Sequence, residues 1–325
     1  MEAESRYHPS AEQRALASTI DESLAELLPL SRLHASHAED SRTWAGLEEI
    51  GMFGIGVSEE RGGSGLGAAE EALIVIGLGR RLAAPAILAT IGATHAQPNN
   101  PLSAGAIDLS GRRVAAAYRR GERIIIVEDP EADLVLVRDA DGAALYELTD
   151  SSPDSVDHRL WLAHLRSTAK LGEPIARFDA QQLLLLRLID AAALAGIAEA
   201  TLDMSVAYAG MREQFGRPIG SFQAVKHHCA NMAIAARCAR DQTSFAAVAI
   251  DEERDDAALQ VESALFVAGS AALENAAKNI QIHGGMGFSD EADPHLYLKR
   301  AQLLIAIAGG LDAANSRVAN TKVSG

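Results

Sequence analysis

Apolar residues recur at helical spacing from about residue 8 to 98, and again in longer runs from Asp179 to the end of the chain. Ser10 before Ala11-Glu12-Gln13 has the form of an N-cap with Gln13 at the capping-box position, and Leu24, Leu27 and Leu28 carry the first apolar stripe. A shorter amphipathic segment runs from Trp44 to Ile50 and stops at Gly51, and a further helix is predicted from Ala68 to Leu82. Between about 100 and 178 the texture changes to short apolar or β-branched runs at 113–118, 123–127, 134–137 and 144–148. Turn signals at Gly121, Asp129-Pro130 and Asp141-Gly142 separate them, which predicts strands and hairpins. From Asp179 onward four long helical patterns follow one another with short turns, as in an antiparallel bundle. Asp179 with Gln182 predicts a capping box. Ser221 and Asp256 are the expected N-caps of the second and third helices, and Asp293-Pro294 that of the fourth. The expected architecture is mainly α with a small β domain: an N-terminal α-helical domain over 1–100, a short, β-barrel-like middle domain over 101–178 and a C-terminal four-helix bundle over 179–325.

Composition narrows the function. With 325 residues, 48% of them hydrophobic, the chain can bury a substantial core. Lys and Arg total 29 against 44 Asp and Glu, a net charge of -15, which argues against nucleic acid as a partner because phosphate backbones attract clustered positive charge. Cys229 and Cys238 lie nine apart in one predicted helix, a spacing that suits neither a zinc ligand set nor a redox pair, so they read as buried free thiols. The start, Met1 to Arg6, lacks a basic region followed by an apolar run, and the greasiest stretch, Leu183 to Leu186, is interrupted at once by Arg187 and Asp190. No membrane span is expected, and the setting reads as cytoplasmic.

Candidate chemistry concentrates in two places. The run from Arg212 through Glu213-Gln214-Phe215-Gly216-Arg217-Pro218 to Gln223 strings a guanidinium, an aromatic face and two amides around a turn between helices. Guanidinium pairs with phosphate oxygens, a phenyl ring can cover a ring system, and the amides can both donate and accept. About 60 residues later comes Gln281-Ile282-His283-Gly284-Gly285-Met286-Gly287-Phe288. Read alone, these residues also suit a surface ion pair at Arg212, a core position for Phe215 and a helix C-cap at Gly284-Gly285. Gly63-Ser64-Gly65-Leu66-Gly67-Ala68 is superficially a dinucleotide fingerprint, but Ile55 to Ser58 before it is too short and glycine-broken for a buried strand, so it reads as a loop leading into a helix.

Together the two motifs resemble the acyl-CoA dehydrogenase family of flavoenzymes. The loop from Met52 to Gly65 is similar to that family's N-terminal loop, with Ser58 near where Pro is usual. The resemblance implies FAD as cofactor, an acyl-CoA thioester as substrate, and Arg212, Gln214, Phe215, Gln223, Gln281, Gly284 and Gly285 as cofactor contacts. In the family the Gln and Gly-Gly of the second motif reach the FAD from a neighbouring subunit. It further implies α,β-desaturation, in which a Glu removes the α proton while the flavin accepts hydride from the β carbon.

That Glu is not found where the family has it. The usual slot, before Gly309-Gly310, is Ala308, and the slot of the isovaleryl type, on the first bundle helix, is Leu186. Asp290 and Glu291 stand before the last helix, where capping is the expected role. Asp190 and Asp203 on the first bundle helix are the other acids to weigh as substitutes. The family's Thr-Glu-Pro and Gly-Ser-Asp runs are missing too, with Glu173-Pro174 too late and Ile126-Val127-Glu128 where a Trp strand is expected. The pattern is similar to the base-lacking subunit of heterotetrameric (α2β2) dehydrogenases that shorten steroid side chains. A homologous subunit is therefore the expected partner; a self-sufficient homo-oligomer with an unorthodox base, or a non-catalytic scaffold, are the alternatives.

Overall fold

The computed structural model describes residues 8–34, 39–98, 109, 111–127, 129–139, 142–148, 155–156 and 162–321. The Met1–Arg6 start, the boundary expected at 100–101, the turn at Asp141 and Glu128 lie outside them. Helices come first: α1 (Ala11–Leu27), α2 (Ser41–Glu49), α3 (Ala68–Arg80) and α4 (Pro85–Ala93). The strands follow as β1 (Gln97–Pro98), β2 (Arg113–Arg120), β3 (Arg123–Val127), β4 (Ala132–Arg138), β5 (Ala143–Glu147), β6 (Ser155–Val156), β7 (Leu165–Thr168) and β8 (Ala176–Arg177). The remainder is α5 (Ala180–Met211), a hairpin of β9 (Glu213–Gln214) and β10 (Arg217–Pro218), α6 (Gln223–Asp251), α7 (Ala257–His283), α8 (Pro294–Ile307) and α9 (Leu311–Asn320).

The sheet order is β1-β8-β5-β4-β2-β3-β7-β6, antiparallel except for β2 beside β4. Both faces are apolar because β2 and β4 alternate two apolar sets. Val114, Ala116, Leu134 and Leu136 face the helical core, while Ala115, Ala117, Val135 and Val137 form a second small core with Ile124 and Ile126. α5 runs unbroken for 32 residues and is alanine-rich, with Ala191 to Ala195 fully buried. Small residues let backbones approach: a Cβ on Gly196 would stand 2.1 Å from the Ile76 carbonyl oxygen, and one on Gly79 2.0 Å from that of Ala193. Asn275 of α7 donates to the carbonyls of Ala198 and Met232, tying three bundle helices together.

The capping boxes at Ser10/Gln13 and Asp179/Gln182 form as expected. Asp256 and Asp293 hold the N-cap positions of α7 and α8, with Pro294 opening α8, but at these two and at Ser221 no side-chain capping bond forms. α6 begins at Gln223 behind Phe222, and the Ser221 hydroxyl is buried without a partner. Asp256 precedes α7 but turns its carboxylate to Arg254 and to the Gln260 side chain. Asp293 precedes α8, yet its carboxylate meets His34, and no side chain, Asp290 and Glu291 included, caps that helix. The glycine-rich loop does lead into α3, whose first N–H groups are taken by the Asp251 carboxylate at 2.7 and 2.9 Å. The helix end that a dinucleotide phosphate would need is occupied by the protein itself. Cys229 is half-buried, and Cys238 is exposed rather than buried, since nine residues is two and a half helical turns and puts the two thiols on opposite sides of α6. Among the described residues no helix is long and apolar enough to cross a membrane.

Candidate functional site

The residues singled out in the sequence fall at two ends of α5. At its N-terminal half, Leu186 is buried against α8, and Ala308 is buried at the C-cap of α8, followed by Gly309 and Gly310 at φ +91 and +92. Between sheet and bundle lies a cavity of only about 20 Å³, lined among others by Leu88, Leu136, Leu186, Ile189, Leu304 and Ile307. One family base position, Leu186, therefore lines a narrow, largely apolar seam, and the other, Ala308, is buried directly after Ile307 of its wall. The charged groups in its wall are Arg138 at the end of β4 and Asp190 on α5, paired at 2.6 Å. Burial pushes the Asp190 carboxyl above its ordinary range, and Arg138 pulls it back. The alternative acids are elsewhere: Asp203 pairs with Arg80, Glu291 with the Ser289 hydroxyl, and Asp290 is exposed.

The other end of α5 carries the two motifs. Tyr208, in its last turn, stacks on His283 at a ring separation of 4.0 Å, which brings the C-terminal ends of α5 and α7 side by side. Arg212 caps α5 and is exposed, with no ion pair among the described residues. The hairpin beyond it turns through Phe215 and Gly216, both at positive φ, +54 and +75, the combination a two-residue type I′ turn requires. Phe215 is 93% exposed, so it is not a core residue. Arg217 lies 4.2 Å over the Phe222 ring, while Gln214 and Gln223 are exposed, Gln214 donating to the Glu213 carbonyl. Gln281 is exposed, and Gly284 caps α7 at φ +61. A Cβ on Gly284 or Gly285 would meet nothing within 4 Å, so packing inside this chain does not explain Gly285; an open backbone here suits a close-lying ligand or partner.

Exposed apolar side chains crowd the same end. Val206, Met211, Phe215, Met286 and Phe288 stand there, beside a groove of about 470 Å³ whose wall is Ala209, Pro218, Val225 and Cys229 with Lys226 at the rim. The arrangement offers two guanidinium groups, amides and bare backbone to an anionic, aromatic ligand, on a face with too much apolar surface for water alone. Burial lowers the pKa of His283, whose Nδ1 lies 2.8 Å from the Asn279 carbonyl oxygen. These residues fit the diphosphate and nucleoside half of FAD, and the seam at Leu186 has no space for a flavin ring.

Sequence reasoning missed the Arg138–Asp190 pair and the Tyr208–His283 stack. The first left a signal: Arg187 and Asp190 interrupt an otherwise apolar stretch, and a buried charge needs a partner. The second did not, since stacking is a tertiary fact.

Comparison with known proteins shows the family. Residues 10–104 match the acyl-CoA dehydrogenase N-terminal domain and residues 176–320 the C-terminal domain. The chain is 32% identical over 309 residues to the acyl-CoA dehydrogenase IpdE2 of Mycobacterium tuberculosis, covering 90% of this chain and 92% of that one. It is 34% identical over 302 residues to the acyl-CoA dehydrogenase FadE34 of the same organism, covering 82% of this chain but only 40% of FadE34. In fold it is similar to a chain of the ChsE4-ChsE5 complex from M. tuberculosis, with a TM-score of 0.75, 23% identity and coverage of 97% and 99%. A variant of the Tcur3481-Tcur3483 steroid ACAD gives 0.77, 22%, and 95% and 97%.

Proposed function

Because the chain belongs to the acyl-CoA dehydrogenase family of oxidoreductases, whose cofactor is FAD, we propose that it is the subunit without a catalytic carboxylate in an α2β2 assembly, serving a flavin whose ring lies in a homologous partner. The observation that carries this reading is a length. Leu186 and Arg212 are 26 residues apart on one unbroken helix, about 39 Å at the helical rise. An FAD gripped at Arg212 does not reach the seam at Leu186, which supports the reading that both motifs serve a ring bound in a partner.

When bound, FAD supplies the acceptor for the β-carbon hydride of the acyl-CoA thioester. This chain's share is positioning: Arg212 and Arg217 hold the diphosphate, Phe215 covers an aromatic face, Gln214, Gln223 and Gln281 meet polar edges, and Gly284 and Gly285 admit close approach. The exposed apolar side chains at this end are covered by the partner. FadE34 is long enough to hold a second unit of this size besides the matched one, which suits a protein that works in pairs. The name of the Tcur3481-Tcur3483 steroid ACAD supports bulky, steroid-like acyl groups as substrates, in keeping with the resemblance of this sequence to subunits that shorten steroid side chains. Free thiols suit a cytoplasmic setting.

Purified alone, the chain is expected to hold little flavin; coexpressed with a homologous chain bearing an intact Glu, it gives yellow protein with about one FAD per heterodimer. Arg212→Ala lowers that flavin content, whereas a pure scaffold would keep it. Full flavin occupancy and turnover of CoA thioesters by the lone chain overturn the proposal. The self-sufficient alternative has one observation in its favour, since Asp190 lies one helical turn from Leu186 on the same seam. Its pairing with Arg138 and the small cavity weigh against it.

A further inference from the structure

We propose that the Arg138–Asp190 ion pair is a latch that holds the sheet against the bundle and keeps this chain's own acyl cleft shut. It rests on the reading above only in identifying the seam with that cleft. The pair spans the joint between β4 and α5, with side chains 9% and 4% exposed. All around it the walls are aliphatic, from Leu88 and Leu136 to Leu304 and Ile307. Such a joint would close at least as well with leucines, because replacing a buried ion pair by packed apolar groups is often neutral or stabilising. Apolar closure, however, would leave a seam that an acyl chain could part, since hydrocarbon packs against hydrocarbon in either state. A charge pair prevents this. Any chain inserted between Arg138 and Asp190 would leave two opposite charges separated in a low-dielectric interior.

The contact is close, with Arg138 2.6 Å from Asp190 Oδ2, and both the charge and the side-chain bond of Arg138 favour the ionised carboxylate. A second buried group extends the tie. Arg187, one turn before Asp190, meets Glu262 of α7 at 2.6 Å, and Arg317 of α9 meets the same oxygen at 2.8 Å. The charged groups facing the latch are thus Arg138 from the sheet, Asp190 and Arg187 from α5, Glu262 from α7 and Arg317 from α9. Burial moves Asp190 up and Arg187 down, the directions expected of groups sealed from water.

The test compares four variants of the full chain: D190N, R138M, the exchange R138D/D190R and the apolar pair R138M/D190L. Thermal unfolding is followed together with the fluorescence of anilinonaphthalene sulfonate, a probe of opened apolar clefts. D190N and R138M should lower the unfolding midpoint, on the order of 5 °C or more, and raise probe fluorescence several-fold below that midpoint. The exchange should restore both at least in part. The apolar pair should fold but bind octanoyl-CoA, in calorimetry, at least tenfold more tightly than the wild type. Unchanged midpoint and fluorescence in D190N, or no gain of octanoyl-CoA binding in a folded apolar pair, overturns the latch. Flavin content enters none of these readouts, so the latch can fail while the subunit reading stands. If D190N in the flavin-loaded complex abolishes turnover with the folded state intact, Asp190 is a base and both ideas fall.

Discussion

Phe215 gains nothing from burial and holds a left-handed backbone angle that costs a bulky residue about 1–3 kcal/mol. Strain combined with exposure marks a residue kept for contact with something else. Phe215→Gly should raise the unfolding midpoint of the isolated chain by a few degrees while lowering the flavin content of the assembled complex. Arg300 is strained electrostatically. It is fully buried on α8, none of its three guanidinium nitrogens has a hydrogen-bond partner among the described residues, and burial, with Arg32 adding, brings its pKa down to about 10. Arg300→Met should therefore stabilise the fold by about 1 kcal/mol or more, read by denaturant titration. At this scale the sequence offers candidates but not conformation: the family resemblance singles out Arg212, Gln281 and Gly284-Gly285. The angle of Phe215 and the exposure of Cys238 depend on a turn and a helix face that only packing sets.

The elements were more readable than their joints. Local rules placed α1 and α5 through Ser10/Gln13 and Asp179/Gln182, because a capping box is satisfied within four residues. They failed at Ser221, Asp256 and Asp293, where the polar group found a better partner or none. The hairpin after α5 was visible only as a turn. The crossing of α3 and α5 was not legible at all, since Gly79 and Gly196 read as ordinary helix glycines until the two backbones are seen in contact. Gly196→Ala improves helix propensity by roughly 1 kcal/mol, but the added methyl would stand 2.1 Å from the Ile76 carbonyl. The clash, which costs about 1–3 kcal/mol or more, should outweigh that gain because it is against backbone, so the variant unfolds at lower temperature; an unchanged midpoint would show that the helices can part without cost.

For the whole molecule, acidity should act first at the bundle end. Burial holds His283 below its ordinary 6.5, with only its bond to Asn279 opposing, and His295 shifts the same way for the same first cause. In the window from 6.5 down to the folded value the unfolded chain takes up the proton first. Stability is therefore intact above 6.5 and lost as pH falls through that window. His283→Gln should flatten part of this fall in unfolding midpoint between about pH 7.5 and about pH 5.5, and the same titration of the flavin-loaded complex should show cofactor release beginning in the same range.

The long helix between the seam and the hairpin has a consequence for how such a chain changes over generations. Substitutions farther apart than about 10 Å combine additively, so change around Leu186 leaves the surroundings of Arg212 untouched. Repairing one end cannot mend the other. The two drift on separate clocks, and a polypeptide can go blind as a catalyst while its grip on a neighbour's coenzyme stays as firm as before.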